Sequence, residues 1–226
     1  MVCIMAIICP RCGAEFDATL FEFEHRVCCD CGAEIRYPGT DRRSGHVAAD
    51  QQGNDMNTLD AIHTRRSIRR YIDKPVGEEL VQKLLAAAMQ APSARNQQPW
   101  QFVVIDDRAV LAKIPDFMPN AAMAANAPLA ILVCGDLNLE KSEGYWVVDC
   151  AAATENMLLV AHALGLGACW CGVYPREKRM EGLQKLIGLP QNVIAHSLVV
   201  VGHPAEQIAA ENRYREERVH RNHWTP

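Results

Sequence analysis

Residues 146–175 read WVVDCAAATENMLLVAHALGLGACWCGVYP. From Tyr145 to Leu164 the run is long, rich in alanine and apolar on most sides, which predicts a buried central helix. Cys169–Tyr174 then predicts a strand. Between them Gly165 and Gly167 lack the G-x-G-x-x-G spacing of a dinucleotide-binding turn, and no N-terminal strand precedes them. Glycines beside Trp170 fit either close backbone approach to a flat ligand or tight packing of helix on strand.

The flanking sequence completes an α+β domain. Asn57 or Thr58 is placed to cap a helix running to about Tyr71, and Gly77–Gln90 carries Leu80, Leu84, Leu85 and Ala88 at helical spacing. Gln101–Ile105, Leu129–Cys134 and Ala195–Val201 predict buried strands, and Glu177–Ile187 a further helix. Glu211–Pro226 is a polar tail, either loose or packed onto a partner subunit. No stretch approaches a membrane span. The net charge of −4 gives no general reason to bind nucleic acid.

Six of the ten cysteines fall in the first 31 residues. Cys9-x2-Cys12, fifteen intervening residues, then Cys28-x2-Cys31 is the spacing of a four-thiolate metal site. Such a short segment buries little core, so a closed structural zinc site would supply its folding energy. Iron in the same cage is the redox-active rival. No secretory signal is apparent, and cysteines clustered this way suit a reducing cytoplasm. Composition divides the chain into a zinc-ribbon-like segment at 1–37, a polar linker at 38–56 and the main domain at 57–226. Residues 1–56 hold nine acids against five arginines, which disfavours nucleic acid at the ribbon and leaves protein docking as its partner class.

Two polar stretches carry binding chemistry. RRSIRRY, residues 65–71, places four arginines in six positions. Read as a helix, it pairs Arg65 with Arg69 and Arg66 with Arg70, and guanidinium groups suit phosphate. A solvated basic face is the alternative. APSARNQQPW, residues 91–100, is rich in amides that match the edge of a heterocycle. The alternative there is an ordinary connection from helix to strand.

Together with 146–175 and the ending GHPAE…ENRYREERVHRNHW, these motifs resemble the nitroreductase family of FMN flavoproteins over residues 57–226. The resemblance implies a mixed sheet flanked by helices, in an intertwined homodimer with FMN at the subunit interface. Arg65, Arg66, Ser67 and Arg69 would hold the phosphate and ribityl chain. Pro92 and Ser93, from the partner subunit, would line the flavin, with Asn96 and Gln98 at polar positions of that loop. Trp170, Cys171 and Gly172 would bring backbone to the ring, and Arg213 would return to the phosphate. The implied activity is FMN-dependent oxidoreduction from NAD(P)H to a nitroaromatic, quinone or similar small acceptor. The cofactor carries the chemistry, so no catalytic side chain is named. Asp149 and Glu155 offer carboxyl groups on the central helix, with a structural role as the alternative. The competing readings are a metal-stapled protein-binding module on an idle or differently reduced flavin domain, and an electron-transfer fusion with iron at the cysteines.

Overall fold

The computed structural model describes residues 6–8, 15–17 and 56–224. It divides into two units, Met1–Asn54 and Asp55–Pro226. In the first, β1 (Ala6–Ile8) pairs antiparallel with β2 (Glu15–Asp17), Ile7 opposite Phe16. The proposed metal ligands Cys9, Cys12, Cys28 and Cys31 lie outside the described residues.

In the second unit, Asn57 caps α1 (Thr58–Thr64) by accepting the Asp60 amide at 3.0 Å. Then follow α2 (Glu78–Met89), β3 (Trp100–Ile105), the short α3 (Arg108–Leu111), 3₁₀ turns across 114–126 and β4 (Leu129–Asp136). The chain continues through α4 (Trp146–Ala163), β5 (Gly167–Gly172), α5 (Glu177–Ile187) and β6 (Val193–Gly202). The four long strands pair in the order β3-β4-β6-β5, every pair antiparallel. The expected mixed sheet is thus corrected: among the described residues, parallel pairing is confined to an isolated bridge from Ser67 to Ala168.

Both faces of this sheet are covered, which explains the near-continuous apolar strands. Leu129, Ile131, Val133, Val199 and Val201 face α2 and α4. Ala130, Leu132, Leu198 and Val200 face α5 and the 114–126 turns. The period-2 alternation places Ala168 in the first layer and Cys169 and Cys171 in the second.

The central helix buries one face rather than all sides. Trp146, Asp149, Cys150, Ala153, Thr154, Met157, Leu158 and Ala161 recur at three- and four-residue spacing. Opposite them Val148 is 61% exposed, and on α1 Leu59 is 66% exposed. α4 ends with Gly165 in the left-handed region at φ 74°, the Leu166 amide bonding Ala161 O and the Gly165 amide bonding His162 O. That turn feeds the chain directly into β5.

Candidate functional site

The arginine stretch is not helical. α1 stops at Thr64, and residues 65–72 bridge the free edge of β5 at Ser67 and Ala168 and then pair with residues 203–205. The Ile68 amide bonds Ala168 O at 3.0 Å, Ile72 N bonds His203 O at 3.0 Å, and Ala205 N bonds Arg70 O at 2.9 Å. The predicted i, i+4 pairing of Arg65 with Arg69 and Arg66 with Arg70 is therefore overturned. Tertiary backbone pairing outweighs the helical propensity of arginine, which is at most a few tenths of a kcal/mol per residue. The close approach depends on Gly167, where an added Cβ would meet Ile68 Cγ2 at 2.7 Å.

The guanidinium groups divide by use. Arg66 donates to His63 O, Arg65 O, Ala209 O and Glu211 O at 2.7–3.4 Å, so it ties the tail to this segment. Arg70 pairs with Glu206 at 3.8 Å, and the same carboxylate accepts the Arg69 and Arg70 amides. Arg65 has one loose pairing, with Glu155 at 3.7 Å, and Arg69 one long bond, to Ser67 O at 3.4 Å. Arg65 and Arg69 thus keep most of their donors for a ligand. Thr64 Oγ1 lies 2.7 Å from His162 Nε2, joining α1 to α4. Burial, then Arg65 and Arg66, push the His162 pKa down.

Beside this edge, Trp170, Cys171 and Gly172 close β5. The Trp170 ring is half-buried, 5.9 Å from the His196 ring. Cys171 points into the opposite layer and is buried, so only its backbone is available on the side of Trp170. The Cys171 thiol and then Arg69 pull Cys169 below the usual thiol range, against burial. An added Cβ at Gly172 would meet nothing within 4 Å, so the edge is open there.

His196 was not legible as a site residue. The β4–β6 register passes from Val133↔Ser197 to Cys134↔Ala195, leaving His196 as the extra residue of a bulge. Its carbonyl accepts the Val173 and Tyr174 amides at 3.2 and 3.0 Å. Its ring sits between Trp146 and Trp170, and Nδ1 is buried without a partner. Burial holds its pKa at about 4.

Pro92, Ser93, Asn96 and Gln98 lie in a loop fixed by two buried polar side chains. Asp149 accepts the Ala94 amide at 2.9 Å and Gln97 Nε2 at 2.6 Å. Gln97 Oε1 accepts the Lys141 and Ser142 amides. Ser93 Oγ accepts Gln98 N at 3.0 Å, and Gln98 Nε2 donates to Asn96 Oδ1 at 2.9 Å. Asp149 therefore anchors a loop, the structural alternative for that residue.

The structure brings Arg65, Ser67 and Arg69 together at Ala168 of β5, the strand that ends in Trp170, Cys171 and Gly172, but holds the loop elsewhere. Loop and arginine segment attach to α4 at Asp149 and at Glu155 and His162, roughly 9 and 20 Å apart along the axis at about 1.5 Å per residue. Arg213 is exposed and pairs with Glu211 at 3.6 Å, two residues beyond the carbonyl that Arg66 holds. Cationic donors beside an open glycine edge fit a flat, phosphate-bearing group such as FMN.

Comparison with known proteins agrees. The sequence model of the nitroreductase family matches residues 62–142 and 118–203. A Methanothermobacter thermautotrophicus protein named "Putative NADH dehydrogenase/NAD(P)H nitroreductase" is 48% identical over 79% of this chain and 93% of its own length. A solved Bacteroides thetaiotaomicron structure of the same name is 40% identical, with TM-score 0.71 over 74% of this chain and 98% of that one. A Desulfovibrio desulfuricans structure solved in complex with FMN is 33% identical, with TM-score 0.63 over 74% and 98%.

Proposed function

This chain belongs to the nitroreductase family, and from that premise we propose that it is an FMN-dependent NAD(P)H oxidoreductase acting on a nitroaromatic, quinone or similar small acceptor. The observation that carries the reading is the lightly engaged pair Arg65 and Arg69 flanking Ser67, which bridges Ala168 of β5, the strand whose last residue, Gly172, is open. When bound, FMN supplies the hydride chemistry. The protein binds and orients. Arg65, Ser67 and Arg69 hold the phosphate and ribityl chain, and Arg66 brings the tail, with Arg213, toward them. The backbone of Trp170, Cys171 and Gly172 meets the ring.

The second wall of the site comes from another copy of the chain. Pro92, Ser93, Asn96 and Gln98 are tied to α4 well away from the arginines of their own chain, and α1 and α4 expose Leu59, Ile62 and Val148. Both features support a homodimer in which each loop serves the partner's arginine segment. Among the described residues no helix is long and apolar enough to cross a membrane, and the cytoplasm is the compartment proposed. The zinc site at Cys9, Cys12, Cys28 and Cys31 rests on spacing alone. One zinc per chain on metal analysis supports it, and iron replaces it with an electron-transfer role.

A visible spectrum of the purified protein, followed by anaerobic NADH and then NADPH, tests the activity. Flavin bands that bleach with a nucleotide are expected, and the effective nucleotide identifies the donor. Protein that stays colourless after reconstitution with FMN overturns the reading.

A further inference from the structure

We propose that Arg179 is a positioning residue for the flavin-facing edge: its guanidinium holds the Gly172 carbonyl and thereby fixes the backbone that meets the ring. The inference rests on the flavin reading above and adds a residue outside the arginine segment and the tail. Arg179 lies in the first turn of α5, and its Nη1 donates to Gly172 O at 2.6 Å. A charge-assisted bond of that length is stronger than a neutral one.

The need for the clamp follows from glycine. Gly172 leaves its side of the strand open for close approach. The same missing Cβ leaves the backbone free to turn. Gly172 is also the last residue of β5, so strand pairing does not continue beyond it. The next peptide unit is instead pinned at both ends: Arg179 holds the Gly172 carbonyl, and the Val173 amide donates to His196 O at 3.2 Å. The bulge at His196 and the first turn of α5 thus meet on one peptide plane.

Arg179 is half-buried, and no carboxylate pairs with it among the described residues. Of the five guanidinium N–H groups, a single bond to a carbonyl uses one. The positive charge beside the end of β5 is therefore not cancelled by an ion pair, and it favours negative charge on a ring seated there.

The test uses the full chain, with FMN titrated by fluorescence quenching and the midpoint potential of the bound flavin measured. R179M keeps the aliphatic stem and removes both the bond and the charge. It is expected to bind FMN about tenfold more weakly, the effect of one charge-assisted bond, with a more negative midpoint potential. R179K keeps the charge but loses the fixed fork, and is expected to fall between R179M and the parent on both measurements. A folded R179M with the parent's dissociation constant and potential overturns the proposal, even with a lowered Tm, because a structural role alone moves only the Tm. Should R179M not fold, R179K decides: weaker FMN binding and a more negative potential than the parent's support the clamp, and unchanged values overturn it. A parent chain that binds no FMN sinks the flavin reading and this role with it. A parent that binds FMN beside an unaltered R179M sinks this role alone.

Discussion

The loop at residues 91–99 and the arginine segment at 65–71 both look polar and ligand-seeking in sequence, yet they are built on opposite plans. The loop spends its polar groups on itself. Arg95, Asn96 and Gln98 adopt left-handed φ values of 50°, 51° and 47°, costly for residues with a Cβ. Buried Asp149 and Gln97 hold that shape through four bonds to neighbouring donors. The arginine segment secures its backbone against β5 and residues 203–205, and leaves the Arg65 and Arg69 side chains lightly engaged. Polar composition thus fixes a shape in one region and is held back for a ligand in the other.

The sharpest way to break this contrast is to remove the loop's anchor. Asp149→Ala leaves the Ala94 amide and Gln97 Nε2 without their acceptor. Leaving two neutral donors without their acceptor costs about 2–4 kcal/mol. Denaturant unfolding should show that loss, and faster amide exchange should be confined to the loop and the 141–142 turn. An Asp149→Ala protein as stable as the parent would mean that the loop needs no internal anchor.

Acid provides a second probe, directed at the buried polar group left without a partner. His196 has a folded-state pKa of about 4, against about 6.5 unfolded. The unfolded chain therefore takes up a proton that the folded chain refuses. This contribution to stability is fully present above pH 6.5 and is lost as pH falls toward 4, a change of about 2–3 kcal/mol. Unfolding free energies at pH 7, 5.5 and 4.5 should trace that decline. His196→Phe keeps an aromatic ring between Trp146 and Trp170 and should flatten it.

What sequence made legible was what local patterning controls. Glu177–Ile187 forms the helix its periodicity predicts, and Leu129–Cys134 lies within a strand whose two covered faces explain its unbroken apolarity. The error at 65–71 arose because pairing with residues about 100–140 positions away decides that backbone. No local pattern reports such a partner. Asp149 and Gln97 are likewise 52 residues apart, and only the fold shows that one anchors the other. His196 enters the site through a one-residue bulge, which the run Val193–Gly202 gives no reason to expect. In the arginine segment, chemistry was legible and conformation was not: guanidinium suits phosphate in either backbone.

The packing of that segment on the sheet tests its extended form. Gly167→Ala would drive a methyl into Ile68 and is expected to cost about 2 kcal/mol. The larger side chain should also push residues 65–69 off the strand, so FMN binding should weaken alongside stability. Ile68→Ala in the same chain removes the atoms in the way and should recover part of both losses. Recovery of neither would mean that the segment owes its position to something other than contact with β5.

The finest test separates Arg66 from Arg65 and Arg69, one and three positions away. Arg66→Gln removes donors from four backbone carbonyls, three of them outside its own residue's immediate neighbour, and two of these belong to the tail. It should lower stability by about 1–2 kcal/mol, and it should expose the tail after residue 205 to protease. Arg69→Gln removes one long bond from the protein, so its Tm should stay within experimental error of the parent. Its effect should fall on FMN instead, with binding weakened about tenfold for one lost charge-assisted contact. Arg65→Gln should resemble Arg69→Gln, since its pairing with Glu155 is loose and half exposed. Equal losses of stability and affinity in all three variants would erase the division between arginines that build the segment and arginines that serve the ligand. A split of the expected kind would show that neighbouring residues of one type have separate duties, assigned by the alternation of an extended chain.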